Sequence, residues 1–179
     1  MKKRRLYQRW YEDETIYKQK KRKRHLRELP QFSFDQIYFM PFTHKRIFEE
    51  NGSAHYELID RNITPTGIKI FDQYLQYLDR GNTSPIPFYE KNGLISTDID
   101  SLTYVLTGMN GIDFRLAWQM RMAEDLLRYT NMELKDVAQR SGIGSATNLY
   151  YSFHRDHGYP PGTYRLKARE SGDLGRFIL

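Results

Sequence analysis

The 179-residue chain contains no cysteine. That excludes disulfides, thiolate nucleophiles and zinc sites built on sulfur. It also lacks any apolar run of about 18 residues, so no membrane span is expected. No glycine-rich phosphate loop and no Ser/His/Asp signature occurs, and the acids are spread as helix surface charge. The sequence therefore predicts no enzyme, no cofactor and no small-molecule effector. The opening MKKRR is not followed by an apolar stretch, so it does not read as a secretory signal, and the expected compartment is the cytoplasm.

Basic charge is missing from most of the chain and concentrated at one end. Net charge is +6 overall. Residues 1–29 hold twelve Lys/Arg against four Asp/Glu; residues 30–67 hold three against five; residues 68–179 hold thirteen of each. The run KQKKRKRHLR at 18–27 reads as an arm for a polyanion, with Lys20, Lys21, Arg22, Lys23 and Arg24 as its phosphate contacts. The plainer reading is a solvated tail. A membrane-surface helix fits worse, because Asp13 interrupts the face formed by Leu6, Trp10 and Tyr17.

Four regions follow: the basic arm at 1–29, a β element with its connector at 30–67, a helical domain at 68–169 and a tail at 170–179. Period-two spacing of Phe32, Phe34, Tyr38 and Met40 predicts a strand over 32–40. Two more strands, at 44–50 and 53–59, flank Asn51-Gly52, a strong hairpin-turn signal. This small sheet is expected to cover the opening helix at 68–79; its open edge also invites pairing with a second copy. Phe71, Tyr74, Leu75 and Leu78 have helical spacing, and Gly81 follows as a stop. A longer helix is predicted over 112–129. Asn110 is its N-cap, and Ile112, Leu116, Met120, Ala123 and Leu127 form its buried stripe. Pro160-Pro161 opens a last short helix carrying Tyr164.

Residues 131–157, NMELKDVAQRSGIGSATNLYYSFHRDH, have the pattern of a helix-turn-helix. Leu134, Val137 and Ala138 form the inner face of a first helix. Gly142 supplies the positive φ of the turn, and Ile143 plugs the space between the helices. Ser145 caps the second helix, Leu149 and Phe153 fasten it inward, and Gly158 ends it. Its outward face is Ala146, Thr147, Tyr150, Tyr151 and His154. In a major groove the early residues of such a helix reach base edges. The plainer reading of the same spacing is an ordinary helix pair in a bundle.

The stretch 120–165 resembles the AraC/XylS-type bacterial transcription regulators. The resemblance is carried by Ala123, Leu126 and Leu127, then the helix-turn-helix, then Phe153, Gly158, Pro161, Tyr164 and Arg165 in order. It extends upstream through IKIFDQYLQYLDRGN, PFYEKNGL and STDIDSLTYVLTGMNGIDF, to about residues 68–169. It implies a mostly α fold, in which two helix-turn-helix subdomains joined by a long linker helix enter adjacent major-groove segments. Here they would be preceded by the small antiparallel β element and the basic arm. The function implied is sequence-specific DNA binding for transcription regulation, in the bacterial cytoplasm at the nucleoid. Double-stranded DNA is the expected partner, with RNA polymerase or a second copy as further candidates.

The chain departs from the family pattern at several points. Thr103 replaces a usual aromatic, Gln119 replaces a usual Arg, and Pro85 and Pro87 crowd the start of the first unit. The outward positions of the first recognition helix are Ser96, Thr97, Asp100 and Ser101, with Asp98 nearby. Carboxylates there repel phosphates, so a weak first unit is expected. In the second unit, Ser145, Ala146 and Thr147 face the bases. Tyr150, Tyr151 and His154 flank them, and Arg155 and Arg165 are the phosphate contacts. The arm would supply the missing electrostatic affinity. The alternative is a protein-interaction or RNA-binding accessory factor whose helical domain has lost base reading. Two histidine pairs, His154 with His157 and His44 with His55 across the hairpin, lack a third ligand, so no metal site is expected.

Overall fold

The computed structural model describes residues 29–179. The arm residues Lys20, Lys21, Arg22, Lys23 and Arg24, like Leu6, Trp10 and Tyr17, lie outside the described residues. The elements in order are α1 (Phe34–Ile37), β1 (His44–Phe48), β2 (Ala54–Leu58), α2 (Lys69–Asp79), α3 (Ile86–Asn92), α4 (Ser96–Thr107), α5 (Gly111–Tyr129), α6 (Leu134–Arg140), α7 (Ala146–His157), α8 (Pro161–Ala168) and β3 (Phe177–Ile178). Two helix-turn-helix units, α3–α4 and α6–α7, flank the long helix α5.

Helix α5 begins where the sequence predicts. The Asn110 side chain accepts a hydrogen bond from the Asp113 amide at 2.9 Å, satisfying one of the unpaired donors at a helix start. Of its predicted stripe, Met120, Ala123 and Leu127 are buried, but Ile112 is exposed and Leu116 half-buried, while Phe114, Ala117, Trp118 and Met122 are buried as well. The helix is covered on more than one side, so a single stripe does not describe it. Trp118 is fully buried. Its ring meets Phe34, Tyr38 and Phe39 edge-on at 6.2, 5.0 and 5.2 Å, geometry that aromatic quadrupoles favour.

Those three aromatics belong to the segment read as a strand over 32–40. That expectation is wrong. Ser33 and Gln36 form a reciprocal capping box, Gln36 N to Ser33 Oγ at 3.4 Å and Ser33 N to Gln36 Oε1 at 2.7 Å. One helical turn results, with Phe34 and Ile37 buried on the same side. The third strand comes from the far end of the chain. In the sheet order β2-β1-β3, His44 pairs with Ile178 and Lys45 with Phe177. Phe177 stacks on Phe42 at 5.2 Å and meets Tyr129 at 4.8 Å. A two-residue strand is too short for any periodicity to reveal.

The hairpin itself forms as read, with Gly52 at φ 82°. It does not cover the opening helix: β2 is exposed along its whole length. Nor do His44 and His55 face each other, since His44 pairs with Leu58 and His55 with Ile47. Helix α2 buries Phe71, Tyr74, Leu75 and Leu78 as predicted. Asp72, also buried, accepts from the Thr66 amide at 3.1 Å and its hydroxyl at 2.7 Å. Among the described residues, no helix is long and apolar enough to cross a membrane.

Candidate nucleic-acid interface

The second unit is built by short-range rules. Gly142 adopts φ 78° in the turn after α6. Gly144 N donates to Ala138 O at 2.8 Å, closing that turn. Ser145 Oγ accepts from Asn148 N at 3.1 Å and starts α7. Leu149 and Phe153 are fully buried, as are Val137 and Ala138 opposite them. This leaves Ser145, Ala146, Thr147, Tyr150, Tyr151, His154 and Arg155 on the exposed side. Tyr151 is 67% exposed although it is a large aromatic. Tyr150 touches both neighbours, Tyr151 at 5.7 Å and His154 at 5.9 Å, so the three rings form one surface cluster.

The expected arginines are less free than the sequence implies. Arg155 pairs with its neighbour Asp156, Nε to Oδ1 at 2.8 Å and Nη2 to Oδ2 at 3.0 Å. That bond holds its pKa above the ordinary value. About two-fifths of its side chain still faces solvent, at 41%. Arg165 does not project outward. It donates to the carbonyl of Met132, and burial lowers its pKa. Arg169 beside it donates to Leu127 O at 3.1 Å and Thr130 O at 2.5 Å. The Arg169 contacts satisfy the carbonyls at the end of α5, where a cation is favoured by the helix dipole.

Sequence reasoning missed Arg115. It donates to Thr83 O at 2.8 Å and stands with Tyr151 and Arg155 around a concavity of about 530 Å³, floored by Gln119 and Gly142. The only signal was a lone cation in the first turns of the linker helix. His157 is turned inward: its ring lies 3.0 Å from Glu124 and is buried. It is thus separated from His154, which is exposed on α7.

In the first unit, Ser96 and Thr97 are exposed at the start of α4, and Ser101 is half-buried. Asp100 is not an outward group. Its Oδ1 accepts from Gly111 N at 2.8 Å and so anchors the start of α5. Asp98 accepts from Ile95 N at 2.9 Å, in the N-terminal turn of its own helix. Two carboxylates that look like base readers therefore serve the backbone. Asp113 nearby is half-buried, which raises its pKa. No Lys or Arg occurs between Lys91 and Arg115. Instead Ile95 and Val105 are exposed.

The departures from the resembled pattern have local answers. Thr103 is buried and donates its hydroxyl to Ile99 O at 2.8 Å. Gln119 donates to Gly142 O at 2.7 Å, tying the linker helix to the turn of the second unit. Pro87 sits in the first turn of α3, where its missing N–H costs nothing. The end of α2 also touches the second unit directly. Gly81 lies against the backbone of Arg140, and Arg140 donates to Asp79 O.

No protein-family profile matches the chain. No curated protein matches it significantly. Solved structures do. The C-terminal domain of AraT, a response regulator from Geobacillus stearothermophilus, superposes with a TM-score of 0.51 at 16% identity, over 62% of this chain and 92% of that one. The DNA-binding domain of AdpA, a global transcriptional factor solved with a target DNA, gives 0.47 at 21% identity, over 55% and 88%. The C-terminal domain of the two-component response regulator YesN from Fusobacterium nucleatum gives 0.47 at 20% identity, over 54% and 94%. The likeness to the AraT C-terminal domain shows that the two share a fold.

Proposed function

We propose that the chain is a sequence-specific DNA-binding transcription regulator of the AraC/XylS type, acting in the bacterial cytoplasm. The observation that carries this is α7, whose polar and aromatic side is exposed while Leu149 and Phe153 hold it from behind. Laid in a major groove, Ser145, Ala146 and Thr147 reach base edges at its start. Tyr150, Tyr151 and His154 pack on thymine methyls or donate to backbone oxygens. Arg155 and Arg115, on the rim of one concavity, take phosphates on its flank. Arg165 acts behind them, holding α8 to the loop before α6.

The first unit reads little. Ser96 and Thr97 are its only exposed polar groups at the helix start apart from Asp98. The basic arm supplies what it lacks. The first described residues lie against the C-terminal end of α4: Phe32 N donates to Leu106 O at 2.9 Å, and Pro30 lies 3.0 Å from a Cβ position on Gly108. RNA polymerase is a further partner in this reading.

The exposed Ile95, just before α4, and Val105 on it favour a second reading, an accessory factor that docks to protein or RNA. A gel-shift competition separates the two. Random duplex is expected to displace a labelled duplex, and an RNA homopolymer of equal charge is not. Preferential displacement by the RNA contradicts the DNA reading.

A further inference from the structure

The sheet has two edge strands, the two-residue β3 and the five-residue β2. β1 lies between β2 and β3, which leaves the outer side of β2 open. The register fixes which groups face outward. Ile59 N donates to Thr43 O at 2.8 Å and Glu49 N to Ser53 O at 2.9 Å. Residues 53, 55, 57 and 59 thus point their backbone groups at β1. By alternation, Ala54, Tyr56 and Leu58 present their N–H and C=O groups to the open side. Natural edges are usually protected by lysine, proline or a bulge. The strand AHYEL has no lysine or proline, and its pairing with β1 runs without a bulge.

The face carrying those outward residues is partly apolar, with His44 and Arg46 on it, and Tyr56 Oη donates to Gly175 O at 2.6 Å at its margin. Phe48, Tyr56, Leu58 and Ile178 share it by register. Leu58 is 78% exposed and Phe48 67%. The opposite face carries His55 and Glu57, with His55 held 2.9 Å from Glu57 and 3.0 Å from Glu49.

We infer that this edge is a self-association site, where β2 pairs antiparallel with β2 of a second copy about a two-fold axis at Tyr56. The sequence is complementary to itself in that register. Tyr56 meets Tyr56 of the second copy, and Ala54 meets Leu58, both as hydrogen-bonded pairs. His55 then falls opposite Glu57 in both directions, at the non-hydrogen-bonded positions where side chains come closest. The two faces join into one, bringing the exposed Leu58 side chains of both copies onto the same side. A two-fold contact of this kind closes on itself and stops at a dimer. It stands independently of how DNA is read, and would present two DNA-binding units in opposite orientations.

Sedimentation equilibrium of the full chain tests it. The expected result is a dimer whose fraction rises with concentration. Glu57→Lys sets a lysine opposite His55 twice and is expected to weaken the dimer about tenfold. The exchange His55→Glu with Glu57→Lys restores opposite charges and is expected to recover it. Unchanged circular dichroism confirms that these surface variants fold. A wild-type chain that stays monomeric overturns the inference. So does a dimer indifferent to Glu57→Lys, or one that forms only after residues 1–28 are removed, which would show that the arm occupies the edge.

Discussion

Removing residues 1–29 is expected to flatten the salt dependence of duplex binding by several units while leaving the ranking of sequences intact. Each neutralised phosphate contributes about 0.9 to the slope of log K against log salt. If Lys20, Lys21, Arg22, Lys23 and Arg24 each neutralise one, the slope falls by about 4.5. The described body has little with which to compensate. Arg155 is already paired with Asp156, Arg165 is turned to Met132, and the first unit has no Lys or Arg between 91 and 115. Fluorescence anisotropy across a salt series, with a preferred and a random duplex, measures both quantities. An unchanged slope means that the arm is not the source of affinity.

Replacing Gly81 by alanine is expected to cost about 2–4 kcal/mol, or roughly 5–15 °C in Tm. Two effects add. Gly81 has φ 78°, which a Cβ disfavours by about 1 kcal/mol. The added Cβ would also lie 2.5 Å from Arg140 O, a backbone atom that cannot swing aside. This contact is where the end of α2 meets the turn of the second unit. Gly158→Ala is the control: its φ is 82°, but nothing lies within 4 Å of the added carbon. Only the first cost applies there. Equal melting temperatures for the two variants would show that the close approach of α2 to the second unit contributes nothing.

The second unit was legible because each of its positions obeys a rule of near neighbours. A glycine for positive φ, a serine three residues before the amide it caps, and two apolar residues four apart are visible in any sequence. The N-terminal segment was misread for the opposite reason. Phe32, Phe34, Tyr38 and Met40 alternate as a strand does, yet Ser33 and Gln36 close a helical turn and Trp118 collects the rings. The strand partner of β1 lies more than a hundred residues away, at Phe177–Ile178. Asp100 and Arg165 look like surface charges in one dimension. Their roles, holding Gly111 N and Met132 O, exist only once the chain has folded. Long-range acceptors of this kind leave no local pattern.

Selection of bound duplexes from a random pool tests the reading face of α7 most directly. The wild-type chain is expected to enrich one motif. Thr147→Ala and Tyr151→Ala each remove an exposed side chain without disturbing Leu149 or Phe153. Each is expected to lose about 1–3 kcal/mol on that motif, roughly 5- to 150-fold in affinity, and to relax the motif at one position. A wild-type chain that enriches nothing, or variants that select the same motif with the same affinity, would contradict the account.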